Sequence, residues 1–89
     1  MVIDPKAPSV DPDTVRWNGL AMRDEGQTMI EHAGVMTEEI DVMIAQNMLA
    51  GQDGDALRQA AQTLRDVGGR ATQNGQAMVD YADRLNRSL

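Results

Sequence analysis

The sequence predicts an all-α fold, an antiparallel two-helix hairpin, and three observations lead to that prediction. After Pro12 the chain contains no further proline, so no residue forces a break in a helix. Apolar or small residues recur every three or four positions along two long segments, which is the spacing of a helix-packing seam. The only dense cluster of turn residues lies at mid-chain, from Gly51 to Asp55, where a hairpin would reverse.

The first ten residues differ from the rest of the chain. Residues 1–10 contain Pro5 and Pro8 and show no helical periodicity, so we predict a flexible N-terminal arm. A single helical-hairpin domain is predicted over residues 11–89.

Helix 1 is predicted over about residues 12–50, and its start is well specified. Asp11 is an N-cap residue, Pro12 suits the first helical position, and Asp13 complements the positive end of the helix dipole. A turn over residues 51–54 is predicted to connect helix 1 to helix 2, which covers about residues 54–88.

The seam residues of the two helices are complementary in size. Folding the chain at the predicted turn pairs residues whose numbers sum to 104, so that Met36 faces Gly68 and Met29 faces Gly75. Pairing long side chains with small ones lets two helices approach closely without voids. The seam residues are Val15, Gly19, Met22, Gly26, Met29, Ala33, Met36, Ile40, Met43 and Asn47 in helix 1, and Leu57, Ala61, Leu64, Gly68, Ala71, Gly75, Met78, Ala82, Leu85 and Leu89 in helix 2.

A second apolar stripe flanks this seam, and a two-helix hairpin has no third element to cover it. We therefore predict that the stripe is a partner interface, and that two hairpins dock into a four-helix bundle as a dimer. The alternative is a scatter of ordinary exposed apolar residues. The predicted interface residues are Val35, Val42, Leu49, Ala60, Val67 and Tyr81, and the opposite flank carries Ile30, Ile44 and Val79.

Composition excludes several classes of function. The chain has a net charge of −6 and 2% aromatic residues, so it lacks the basic stripe and stacking platform of nucleic-acid binders. It has no apolar run near the ~20 residues of a membrane span and no Cys. The single histidine, His32, has no second ligand near it in sequence, so we predict no metal, no cofactor, no small-molecule substrate and no catalytic residue.

The mid-chain segment Met48–Leu57, M-L-A-G-Q-D-G-D-A-L, resembles the turn of the WXG superfamily. These ESAT-like proteins are small helical hairpins of type VII secretion, with a Trp-x-Gly between their helices. Here Leu49-Ala50-Gly51 occupies that place, which makes Leu49 and Gly51 the turn motif. The resemblance covers roughly residues 12–88 and includes the length, the Gly/Ala/Met-rich seam and the acidic balance.

The resemblance implies a non-enzymatic secreted subunit, or an escort of a larger effector, that pairs with itself or with a paralogous hairpin. Its export would use no cleavable signal peptide. Two features depart from the family: the literal W-N-G at Trp17 lies inside helix 1, and Tyr81 is followed four residues later by Leu85 instead of an acidic residue. An incomplete export signal leaves a cytoplasmic location open. A needle-type filament subunit of another secretion apparatus and an intracellular helical adaptor are the alternative functions.

Overall fold

The computed structural model describes residues 11–88 and shows an antiparallel hairpin of two long helices. Helix α1 spans Pro12–Ala45 and helix α2 spans Gly51–Ser88, with a loop over residues 46–50 between them. The hairpin is a rod of 64 × 26 × 12 Å. The predicted all-α hairpin is confirmed. The predicted arm at residues 1–10 lies outside the described residues.

The start of α1 has the capping that the sequence predicts. Asp11 has extended backbone angles, and its side chain accepts hydrogen bonds from the backbone N–H of Asp13 at 3.2 Å and from the Thr14 hydroxyl at 3.0 Å. Pro12 occupies the first turn, where its missing N–H costs nothing.

We expect Asp11→Ala to lower the free energy of unfolding by about 1 kcal/mol, because a first-turn N–H loses its acceptor. Urea unfolding followed by circular dichroism measures this change. Glu31→Ala, which removes an exposed carboxylate from the middle of α1, is the matched control and should be near neutral. An equal effect of the two variants would contradict the capping role.

The loop reverses the chain through an asparagine. Asn47 has φ 58°, the left-handed conformation that asparagine tolerates better than most residues. The N–H of Asn47 donates to the carbonyl of Ile44 at 3.0 Å, and the N–H of Met48 donates to that of Met43 at 2.8 Å. These two bonds form a Schellman motif, which ends α1 at Ala45.

The predicted helix boundaries are therefore wrong near the turn. Helix α1 ends at Ala45 instead of residue 50, and the predicted turn over residues 51–54 is the first turn of α2. Asn47, predicted as a seam residue, lies in the loop. The cause is that the left-handed residue ending α1 is Asn47 and not Gly51, whose φ is not positive.

The earlier turn also changes the pairing of the two helices. Gly68, predicted to face Met36, lies against Gly26, Met29 and Ile30. The predicted pairing, in which residue numbers sum to 104, is therefore wrong. The residues that the glycines contact across the helices give sums between 94 and 98, about one heptad lower. Seam residues still meet seam residues, because a shift of one heptad returns the same face of each helix.

The core of the hairpin is thin. The buried hydrophobic side chains are Ala33, Ile40, Ala61, Val79 and Ala82, and among residues 11–88 no large side chain is less than 2% exposed. Burying mostly alanine and glycine contributes little hydrophobic free energy, since that contribution scales with the apolar area removed from water.

Candidate interaction surface

The two helices touch along one line of residues that are small except for Ile40, and we call it the close-contact line. An added Cβ on Gly75 would lie 2.5 Å from the Gly19 carbonyl oxygen and 2.5 Å from the Arg23 nitrogen, so the two backbones meet directly. The members of the close-contact line are all buried: Gly19, Gly26, Ala33 and Ile40 in α1, and Gly54, Ala61, Gly68, Gly75 and Ala82 in α2.

Residues four positions after each member of this line form one side of the hairpin, which we call the clasped face. Three polar contacts cross between the helices on this side, where Arg16 lies one heptad before Arg23 and the acceptors Asp41, Gln76 and Asp83 lie one turn before clasped-face residues. Arg23 donates to Gln76 at 3.0 Å, the Arg58 Nε donates to Asp41 at 3.1 Å, and Arg16 forms an ion pair with Asp83. The bond to Asp41, together with the carboxylate charge, raises the pKa of Arg58 above its usual value.

Apolar residues on the clasped face fill the space beneath these polar contacts. Val79 is buried, and Ile30, Ile44 and Thr72 are half-buried. The Thr72 hydroxyl donates to the Gly68 carbonyl at 2.8 Å, so this hydroxyl keeps a hydrogen-bond partner although it lies against α1. The flank predicted from Ile30, Ile44 and Val79 is thus packed within the hairpin itself.

Residues three positions after each member of the close-contact line form the opposite side, which we call the open face. The helical period puts them about 100° from the clasped-face residues, on the other side of the contact. All are half-buried except Leu57, which is exposed. The large residues of this face are Met22, Met29, Met36 and Met43 in α1, and Leu57, Leu64, Met78 and Leu85 in α2.

The open face differs from the clasped face in its chemistry. All the cross-helix polar contacts found within residues 11–88 are on the clasped face. On the open face, α2 continues outward with Ala60, Val67 and Tyr81, all exposed. These exposed apolar residues extend the half-buried apolar side chains of the open face, and exposed apolar residues grouped in this way are typical of an interaction site.

The predicted interface residues fall into three places. Ala60, Val67 and Tyr81 lie on the open face. Val35 and Val42 are exposed but lie two positions after the close-contact line, on the outer edge of α1 away from α2. Leu49, half-buried, lies in the loop, and Gly51, its partner in the turn motif, is the first residue of α2.

Two shallow depressions lie along α1 beside the open face, and they are equivalent in position. The one near the loop is lined by Glu38, Glu39, Val42, Met43, Gln46 and Met48. The other, nearer the start of α1, is lined by Asp24, Glu25, Thr28 and Met29. Glu25 and Glu39 are 14 residues apart in the sequence, as are Met29 and Met43, so the depressions repeat after two heptads, about 21 Å.

Trp17 is the most exposed large hydrophobic side chain of residues 11–88, at 72%. It lies on the outer side of α1, away from both the close-contact line and the open face. The W-N-G sequence therefore stands within a continuous helix, and its Gly19 belongs to the close-contact line.

The half-exposure of the seam methionines does not follow from their spacing, because both seam positions of each heptad are apolar or small and are expected to be buried alike. The available signal was the difference between them: with the exception of Ile40, one position is always Gly or Ala in the described helices, whereas the other is mostly Met or Leu. Helices that approach through the small position push the large one to the side.

Comparison with protein-family models, with curated proteins and with solved structures finds no match for this chain. Within residues 11–88, neither helix is long and apolar enough to cross a membrane. The same residues contain no group of three or more histidine or carboxylate side chains placed to hold a metal ion.

Proposed function

We propose that this chain is a non-enzymatic pairing subunit whose open face is covered by another helical hairpin in a four-helix bundle. The observation that carries this proposal is the contrast between its two faces. Polar contacts fasten one side of the hairpin, while large apolar residues remain half-exposed along the other. The thin core adds to the argument, because small domains with little buried area need a further source of stability.

We further propose that the pairing serves type VII secretion, as a WXG-like secreted subunit or as the escort of an effector. This part depends on the resemblance of the loop region, on the hairpin shape and on the Gly/Ala/Met seam. The chain would leave the cell through the type VII secretion apparatus. Because Leu85 stands where the family has an acidic residue, the partner would supply the C-terminal export signal.

The experiment is to express an epitope-tagged chain in the organism that carries its gene, and to assay lysate and culture supernatant for the chain and a cytosolic marker protein. We expect the chain, without the marker, in the supernatant, and a second helical protein in the purified complex. A chain confined to the lysate contradicts the secretion proposal. A chain that purifies as a monomer contradicts the pairing proposal.

Trp17→Ala is a further prediction of this account. Trp17 contacts neither the close-contact line nor the open face, so its loss should leave pairing and supernatant level within about twofold of the unchanged chain. Native mass spectrometry of the purified complex and immunoblotting of the supernatant measure these two quantities. Loss of pairing in this variant would place the functional surface on the outer side of α1.

A further inference from the structure

We propose that the open face binds a helix of a different chain, one that carries Lys or Arg beside an apolar stripe, in preference to a second copy of this chain. This inference rests on the proposed pairing function and names the chemistry of the partner. The apolar side chains of that helix would fill the two depressions along α1. Its basic residues would pair with Glu25 and Glu39.

The charge distribution of the chain is the first argument. Between Arg23 and Arg58 there is no Lys or Arg, but there are eight acidic residues: Asp24, Glu25, Glu31, Glu38, Glu39, Asp41, Asp53 and Asp55. Of these, Asp41 and Asp55 contact Arg58. Glu25 and Glu39 have no ion-pair partner within residues 11–88, and both are exposed. An interface is most specific where opposite potentials meet.

The geometry of the depressions is the second argument. Each combines a methionine of the open face with a glutamate on its rim, and the two are separated by two heptads. A helix lying along α1 presents equivalent positions at that same spacing. One helix can therefore put an apolar side chain and a neighbouring basic residue at both depressions.

A second copy of this chain is poorly suited to place a basic residue beside an apolar side chain at both depressions. A two-fold axis across the rod lays α1 on the other copy's α1, which places carboxylates against carboxylates. An axis along the rod lays α1 on α2, with both acidic loop ends together. The basic residues of α2 at the levels of Glu39 and Glu25 are then Arg58, which lies on the clasped face bound to Asp41, and Arg70, which lies two positions after Gly68 on the outer edge of α2. A like-charge juxtaposition of this kind opposes association.

The test uses the full chain and two synthetic helical peptides of about four heptads, each with Leu at the a and d positions. One peptide carries Lys at the flanking positions and the other carries Glu. Fluorescence anisotropy measures the binding of each peptide, and sedimentation equilibrium measures self-association of the chain. Both measurements are repeated at low and high salt.

We expect the Lys peptide to bind at least about tenfold more tightly than the Glu peptide, and its affinity to fall as salt screens the charges. Self-association should be weak at low salt and should not weaken as salt rises, since screening relieves repulsion. Equal binding of the two peptides would overturn the proposal.

A matched pair of variants locates the binding. Glu25→Lys with Glu39→Lys should weaken binding of the Lys peptide by about tenfold, whereas Glu31→Lys with Asp66→Lys, the same charge change on outer surfaces, should weaken it by less than about threefold. Equal losses in the two double variants would overturn the proposal. A chain that dimerises tightly at low salt and ignores the Lys peptide would also overturn it, but would leave the pairing function standing.

Discussion

We expect Gly75→Ala to be strongly destabilising, with a net loss of about 1–3 kcal/mol in the free energy of unfolding. The added Cβ would lie 2.5 Å from the Gly19 oxygen and 2.9 Å from the Arg23 Cα. Both atoms are backbone, so the helices must move apart along their whole contact. That loss outweighs the gain of about 1 kcal/mol that alanine brings to a helix interior.

Gly69→Ala is the matched control, since Gly69 is also in the interior of α2. Nothing lies within 4 Å of its added Cβ, so only the helix propensity changes. We expect this variant to be more stable than the unchanged chain by about 0.5–1 kcal/mol. Urea unfolding of both variants measures the difference. Similar stabilities of Gly75→Ala and Gly69→Ala would show that the helices do not approach at Gly75.

The second large effect is expected for Val67→Asp, which places a carboxylate in the middle of the open face. Val67 is 37% exposed in the hairpin, so the isolated chain should stay helical. In the complex the carboxylate becomes buried without a partner, and we expect binding to fall by about 30-fold or more. Circular dichroism measures the helicity, and titration with the partner obtained from the native complex measures the affinity.

Gln73→Asp adds the same charge on the outer surface of α2 and should leave the affinity unchanged.

Val42→Asp tests whether the outer edge of α1 belongs to the interface as well as the open face. Val42 lines the depression near the loop, so we expect an intermediate loss. A Val42→Asp variant that loses binding when Val67→Asp does not would move the interface to the outer edge of α1.

The helices were predictable because their signals are local. Asp11 and Pro12 specify the start of α1, and the recurrence of small and apolar residues specifies which side of each helix faces the other. Sliding one helix along the other by a whole heptad leaves the same side of each helix facing its partner. The seam was therefore predictable even though the pairing within it was not.

The position of the turn was not predictable in the same way. Gly51 and Gly54 are stronger turn signals than Asn47, yet Gly54 lies in the close-contact line against Ile40 and Ile44. Its small size serves helix packing, and the reversal is made by the less common left-handed asparagine. Glycine thus serves both turns and close helix packing, and a single sequence does not show which of the two applies at a given position.

The location of the open face could not be predicted from the sequence, because it depends on which side of the seam is fastened by contacts between the helices. Arg23, Arg58 and Asp41 look like ordinary surface charges in the sequence. Only their contacts across the helices show that one side is fastened by polar bonds and that Met22, Met36 and Leu64 are left on the other.

Hydroxyl-radical footprinting tests the central claim, that another helix covers the open face, most directly. The oxidation of each residue is compared between the isolated chain and the complex purified from the native organism. We predict protection of Met22, Met29, Met36 and Tyr81 in the complex, with unchanged oxidation of Trp17 on the outer surface. Equal oxidation of the open-face methionines in the two samples, or protection confined to Trp17, would contradict the account.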